Sequence, residues 1–256
     1  MSDPNDAKQD WYLSPARDFP DGPHRTRLRY LLCSSPRVGS TLVGQMLRDT
    51  GQAGDPLEYL NPRKFRALLR RNPAIDSFQA ALDFVERHRT SANGVFGLQL
   101  HWRHFNEFFA GNRTRMDEFF HRFDKLVFLR RRDHVAQGIS LYRAARTLLW
   151  SSIDEDIRQA RSHDYEEFDP AAITAYVGRV MAQDQGWSDY LQASGRPYLT
   201  LYYEDLVANW DAEGRRLLWF LIKRDLAIPP MALRRQRPEQ DELDRRFRQH
   251  WGLSGH

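Results

Sequence analysis

The segment "KLVFLR", residues 125–130, most constrains the fold, because it is nearly all apolar and too short to be a buried helix. A strand with no polar face has to be covered on both sides, which is the environment of a parallel sheet. Two further segments have the same character. Tyr30 to Ser34 is apolar and ends in a Ser/Pro/Gly-rich turn, and "PYLTLYY" (197–203) is rich in β-formers. "NGVFGLQLHW" (93–102) opens on an Asn-Gly turn and then alternates.

Helical spacing fills the intervals. The pattern predicts helices over 40–49, 63–71, 76–89, 133–149, 170–193 and 238–251, with a further helical stretch before Phe123 that breaks near Gly111-Asn112. Alternation of strands and helices predicts an α/β fold with a mostly parallel sheet and helices on both faces, a three-layer sandwich. Residues 1–27 read as an N-terminal arm and 28–256 as a single α/β domain, with 151–168 as a polar excursion over the surface.

Composition narrows the function. With 41% hydrophobic residues, 256 residues suffice for one sizeable core. No apolar run is long enough to span a membrane, and "MSDPNDAKQD" lacks the layout of a signal peptide, so a cytoplasmic location is expected. Cys33 is the only cysteine, which excludes an internal disulfide and a metal site built on thiolates. Of 38 basic residues only Lys8, Lys64, Lys125 and Lys223 are lysines, so 34 are arginines, whose planar fork suits phosphate, sulfate and carboxylate. A net charge of +4 with acidic stretches at 154–169 and 239–244 leaves no dominant basic stripe for nucleic acid.

Ligands of parallel sheets bind beyond the carboxyl ends of the strands, and two turns there have anion-binding chemistry. "SSPRVGSTL" (34–42) joins the first strand to a helix. Pro36 and Gly39 shape the turn, Ser40 and Thr41 open the helix, and Arg37 supplies a cation. The lysine of an ATP-binding P-loop is absent, since Gly39 precedes Ser40. "FLRRRDHVAQGISLYRAARTLLW" (128–150) places Arg131 and Arg132 at a strand end and Ser140 on the following helix, with Asp133 as its N-cap and Arg143 and Arg146 on a solvated face.

Taken in order, "PRVGST", "GDPLEYL", "NGVFGLQLHW", "RRRDHVAQGISLYRAARTLLW" and "LYYEDL" resemble the bacterial Stf0-type sulfotransferases from about Tyr30 to Leu206. The resemblance implies a P-loop-like α/β fold without a metal. It also implies transfer of a sulfuryl group from 3′-phosphoadenosine 5′-phosphosulfate (PAPS) to a hydroxyl of a carbohydrate or other small-molecule acceptor, and it allows a homodimer.

Carried over by position, Pro36, Arg37, Gly39, Ser40 and Thr41 hold the 5′-phosphosulfate and Arg131 and Ser140 the 3′-phosphate, with the share of Arg132 open. Glu58 matches the general base, and Arg37 stabilises charge on the leaving phosphate. Gln99 and Trp102 lie on the acceptor side. The family tends to carry Lys where this chain has Gln99 and Gly where it has Leu98, a departure that bears on acceptor class and activity. A small-molecule kinase and a non-catalytic nucleotide-binding protein are the competing readings.

Overall fold

The computed structural model describes residues 13–20, 25–147, 168–231 and 238–253. Four parallel strands form one sheet in the order β2-β1-β3-β4: β1 (Leu28–Ser34), β2 (Val95–His101), β3 (Lys125–Arg130) and β4 (Leu199–Tyr202). The described helices are α1 (Ser40–Asp49), α2 (Pro62–Arg71), α3 (Phe78–Arg89), α4 (Trp102–Phe108), α5 (Arg113–Phe120), α6 (His134–Thr147), α7 (Pro170–Ser194), α8 (Tyr203–Ala208), α9 (Trp210–Ile222) and α10 (Pro238–His250). The expected strands all form within two residues of their expected bounds. The surface excursion expected over 151–168 falls outside the described residues except at Phe168.

The strands are buried on both faces because each side chain set meets its own helical layer. From β1, Leu31 and Cys33 face a cluster with Phe96, Leu98, Phe128, Phe105 of α4, Phe119 of α5 and Trp187 of α7. Tyr30 and Leu32 face the other side, against Val43 and Leu47 of α1 and Leu217 and Leu221 of α9. A third cluster joins Ile139 and Tyr142 of α6 to Ile173 of α7 and to Leu243 and Phe247 of α10. One face of the Arg-rich helix α10 is therefore packed on its own chain, and its Arg248 pairs with Asp133 at 2.6 Å.

The arm is tied to the domain where it is described. A short turn of 3₁₀ helix, Pro15–Arg17, brings the buried Arg17 onto the buried Asp55, with Nε and Nη2 donating to its carboxylate at 2.9 and 2.6 Å. Arg89 of α3 donates to the same carboxylate at 3.3 Å, and Arg48 of α1 lies 3.7 Å from it. This ion cluster anchors the irregular segment 51–61. Gly44 of α1 lets that segment approach, since a Cβ there would lie 2.8 Å from the Pro56 carbonyl oxygen.

With β1 flanked by β2 on one side and β3 on the other, the chain reverses direction across the sheet between β1 and β3. The crevice beyond the carboxyl ends of these two strands is where such a sheet receives a ligand.

Candidate functional site

Both expected anion-binding turns border that crevice, and they interlock. Gly39 caps α1 at φ 79°, in the left-handed region, and no side chain caps the helix, so its first amide groups stay available. A Cβ on Gly39 would meet the Tyr203 ring at 2.9 Å, so the position needs glycine for space as well as for conformation. Arg37 also lies in the left-handed region, at φ 70°, an unfavourable conformation for a side chain of its size.

That conformation carries the Arg37 guanidinium to the second turn, where Nε donates to Ser140 Oγ at 2.9 Å. Arg131 reaches the other way, Nη1 donating to the Arg37 carbonyl at 3.4 Å while its guanidinium stacks 4.6 Å over Tyr203. Arg131 Nε is buried with no hydrogen-bond partner, an arrangement that favours an added acceptor such as a phosphate oxygen. Gln137, fully buried, donates to Ser35 Oγ and the Pro36 carbonyl at 2.8 and 2.7 Å and so fastens the first loop to α6.

Arg132 does not join this group. Its two terminal nitrogens donate to Asp205 at 2.7 Å each, and its guanidinium lies 3.9 Å over Tyr202. Arg131, not Arg132, is thus the arginine of this turn that is tied to the first loop, while Arg37 is the one bonded to Ser140. Asp133 caps α6, its Oδ1 accepting from the Ala136 amide at 2.9 Å. Glu204, in "LYYEDL", accepts from the amides of Arg132 and Asp133, so this motif holds the turn after β3. Arg143, expected on a solvated face, is buried, because it lies one turn after Ser140 on the inward side of α6. Thr41 is partly exposed in the first turn of α1.

A second half of the site lies beyond β2. Leu57 makes a lone parallel bridge to Leu98, accepting from the Gln99 amide at 3.0 Å, which brings the next residue, Glu58, alongside Gln99. The Gln99 side-chain amide then donates to Ser40 Oγ at 2.8 Å and to Glu58 Oε1 at 3.1 Å. One buried amide therefore links the α1 N-terminus to the Glu58 carboxylate. Asn61 donates to Glu58 Oε2 at 3.4 Å, and His101 and His104 flank the same group at 3.5 and 3.8 Å.

Burial pushes the Glu58 carboxyl up, but His101, Lys64, His104 and the Asn61 amide outweigh it and hold it down at about 2. Burial pushes both imidazoles below 6.5, that of His104 to about 4. At neutral pH the set is one carboxylate and two neutral imidazoles.

Trp102, expected on the acceptor side, packs away from this group. Its ring meets Trp187, Phe105 and Tyr190 edge-on or tilted, with centroids 5.3 to 6.0 Å apart, and it covers Gly186, whose Cβ would clash with the indole. The strand ends at His101, so the side chain that follows turns back onto the aromatic cluster. Sequence reasoning missed Gln137, Asn61 and His104. Gln137 lies three residues before Ser140 on one helix face and His104 three after His101, spacings that signal shared surfaces.

The model of the Stf0 sulphotransferase family matches residues 29–250. The chain belongs to this family. It is a sulfotransferase by family, and its parallel sheet between two helical layers is the α/β architecture expected for one. It is 24% identical over 254 residues to the trehalose 2-sulfotransferase of Mycolicibacterium smegmatis and 26% identical over 255 residues to that of Mycobacterium tuberculosis, with 86% of this chain and 94% of each relative covered. Among solved structures it is similar to a sulfotransferase from Alicyclobacillus acidocaldarius, with 13% identity, a TM-score of 0.49, and 90% and 98% of the two chains covered. No helix among the described residues is long and apolar enough to cross a membrane.

Proposed function

We propose that this sulfotransferase uses PAPS as its donor and moves the sulfuryl group to a hydroxyl of a carbohydrate, with Glu58 as general base. The carrying observation is the Gln99 amide, which bridges Ser40 Oγ and Glu58 Oε1 and so sets the base beside the uncapped helix end. The names of the two mycobacterial relatives support a carbohydrate acceptor.

The residues present suit such a donor. The uncapped end of α1 with Gly39, Ser40 and Thr41 suits the 5′ end, and Arg131, whose Nε has no hydrogen-bond partner and lies 4.0 Å from Glu204, together with Ser140, suits the 3′-phosphate. Arg37 links the two turns, its Nε donating to Ser140 Oγ and its carbonyl accepting from Arg131. When bound, the donor supplies a sulfuryl group on a phosphate leaving group.

Glu58 is ionised at neutral pH and would take the acceptor's hydroxyl proton at a carboxylate oxygen as the hydroxyl oxygen bonds to sulfur and the bond from sulfur to the departing phosphate breaks, a role worth about 10²–10⁴-fold. Gln99 fixes the carboxylate against Ser40, and Arg37 with the amides of α1 stabilises negative charge growing on the departing group.

Calorimetric titration with 3′-phosphoadenosine 5′-phosphate, 5′-AMP and ATP with Mg²⁺ tests the donor. Selective binding of the 3′-phosphorylated nucleotide, lost in Arg131→Ala, is expected. Preference for ATP with Mg²⁺, or equal affinity for 5′-AMP, would overturn it.

A further inference from the structure

His101 and His104 both turn a buried nitrogen without a hydrogen-bond partner toward Glu58. His101 Nε2 lies 3.5 Å from Glu58 Oε1 and His104 Nδ1 lies 3.8 Å from Glu58 Oε2. Neither nitrogen has a hydrogen-bond partner, and His101 is only 9% exposed. All three donor atoms lie within 4.8 Å of one another. Buried polar atoms left unsatisfied in this way are rare and mark a place where a further group belongs.

We propose that Glu58, His101 and His104 form a binding site for one divalent late transition-metal ion, of which Zn²⁺ is the representative. Two imidazole nitrogens and one carboxylate oxygen are a donor set suited to such an ion and poorly suited to Mg²⁺ or Ca²⁺, which take oxygen ligands. Bonds of roughly 2.0–2.2 Å at tetrahedral angles put neighbouring donors roughly 3.4 Å apart. The two His–Glu separations are already close to that value, and no two of the three donor atoms are more than 4.8 Å apart. The backbone is rigid where it matters, since His101 ends β2 and His104 sits in the first turn of α4, their rings stacked with centroids 5.5 Å apart.

Two features limit the affinity. Lys64 and Arg37 act electrostatically on the same groups and oppose a dication, so binding on the order of micromolar is expected, far weaker than a structural zinc site. The Gln99 amide also shares Glu58 Oε1. A dication bound to one Glu58 oxygen draws charge from the whole carboxylate and lowers its basicity. A metal-loaded site therefore blocks turnover, a consequence that rests on the proposed role of Glu58, whereas the binding itself does not.

The test uses tag-free protein stripped with EDTA and desalted, without donor or acceptor. Calorimetry with ZnCl₂ and visible absorption with CoCl₂ are run on wild type, His101→Ala, His104→Ala and His104→Gln, with MgCl₂ as control and circular dichroism to verify folding. One equivalent of Zn²⁺, an intense Co²⁺ band and a loss of about tenfold or more in each variant are expected, with no Mg²⁺ binding. Absence of stoichiometric Zn²⁺ binding, or binding that survives both His104 variants, overturns the site. In a separate sulfuryl-transfer assay Zn²⁺ is expected to inhibit and EDTA to restore. Metal that binds without inhibiting would overturn the block alone.

Discussion

Replacing Asp55 with Asn isolates the ion cluster that anchors the segment carrying Glu58. Asp55 is fully buried, takes two bonds from Arg17 and one from Arg89, and has Arg48 nearby, so three cations share one carboxylate. Asn preserves the shape but removes the charge that Arg17 bonds twice and Arg89 once, and of these two arginines, each about 4% exposed, Arg89 keeps its pairing with Asp18 at 3.2 Å. Breaking a buried pair in this way costs about 3–5 kcal/mol, a large share of the ~5–15 kcal/mol that holds a domain folded. At about 2–4 °C per kcal/mol for a chain of this size, the thermal midpoint falls by roughly 6–20 °C. Urea unfolding followed by circular dichroism measures the loss, and Asp225→Asn, which removes an exposed partner of Arg215, serves as the control with an unchanged midpoint. The double variant Arg17→Met, Asp55→Asn recovers part of the loss, because it removes one of the stranded charges. A loss below about 1 kcal/mol in Asp55→Asn would refute the idea that the carboxylate is what makes this cluster tolerable.

Three further outcomes are expected. Glu58→Gln lowers kcat by about 10²–10⁴-fold with little change in donor affinity, measured by steady-state assay beside calorimetry; unchanged kcat would remove Glu58 as the base. Trp102→Leu lowers the thermal midpoint while the acceptor KM stays within about twofold, because its ring packs against Trp187 and Phe105 and not toward Glu58; a large rise in KM at an unchanged midpoint would return Trp102 to the acceptor site. Acid weakens the fold through His104: its folded value of about 4 lies below the ordinary 6.5, so its stabilising effect is complete above pH 6.5 and is lost as pH falls toward 4. Urea midpoints at pH 7, 5.5 and 4.5 should fall less steeply in His104→Gln than in wild type, and equal slopes would contradict the assignment.

The strands were legible because burial on both faces leaves a direct trace, as in "KLVFLR", where four consecutive residues are buried. The helices bordering the crevice were legible for the complementary reason, since Gly39 and Asp133 mark helix starts whose chemistry is local. The direction of Trp102 was not legible because an aromatic residue after a strand carries no sign of which way it turns, and its ring packs on Trp187 and Phe105. Arg143 was misplaced because an arginine in a helix reads as surface unless its neighbours across the fold are known. The tie between Arg17 and Asp55 spans 38 residues and leaves no local pattern at all.

Gln99 shows why the site as a whole could be read only in pieces. In a strand it looks like one polar residue among apolar ones, and the resemblance marks it only as a substitution for lysine. In the fold it is 2% exposed, and its amide has two acceptors on segments that the sequence separates by 18 residues, Ser40 and Glu58. Both acceptors are brought within reach by backbone events, the end of β1 on one side and the Leu57–Leu98 bridge on the other. A lysine there would place a cation between the base and the helix end; the neutral amide gives two hydrogen bonds and no charge. Cationic charge around these groups comes instead from Lys64, which acts on Glu58 and His101, and from Arg37 and Arg131, which tie the two turns together.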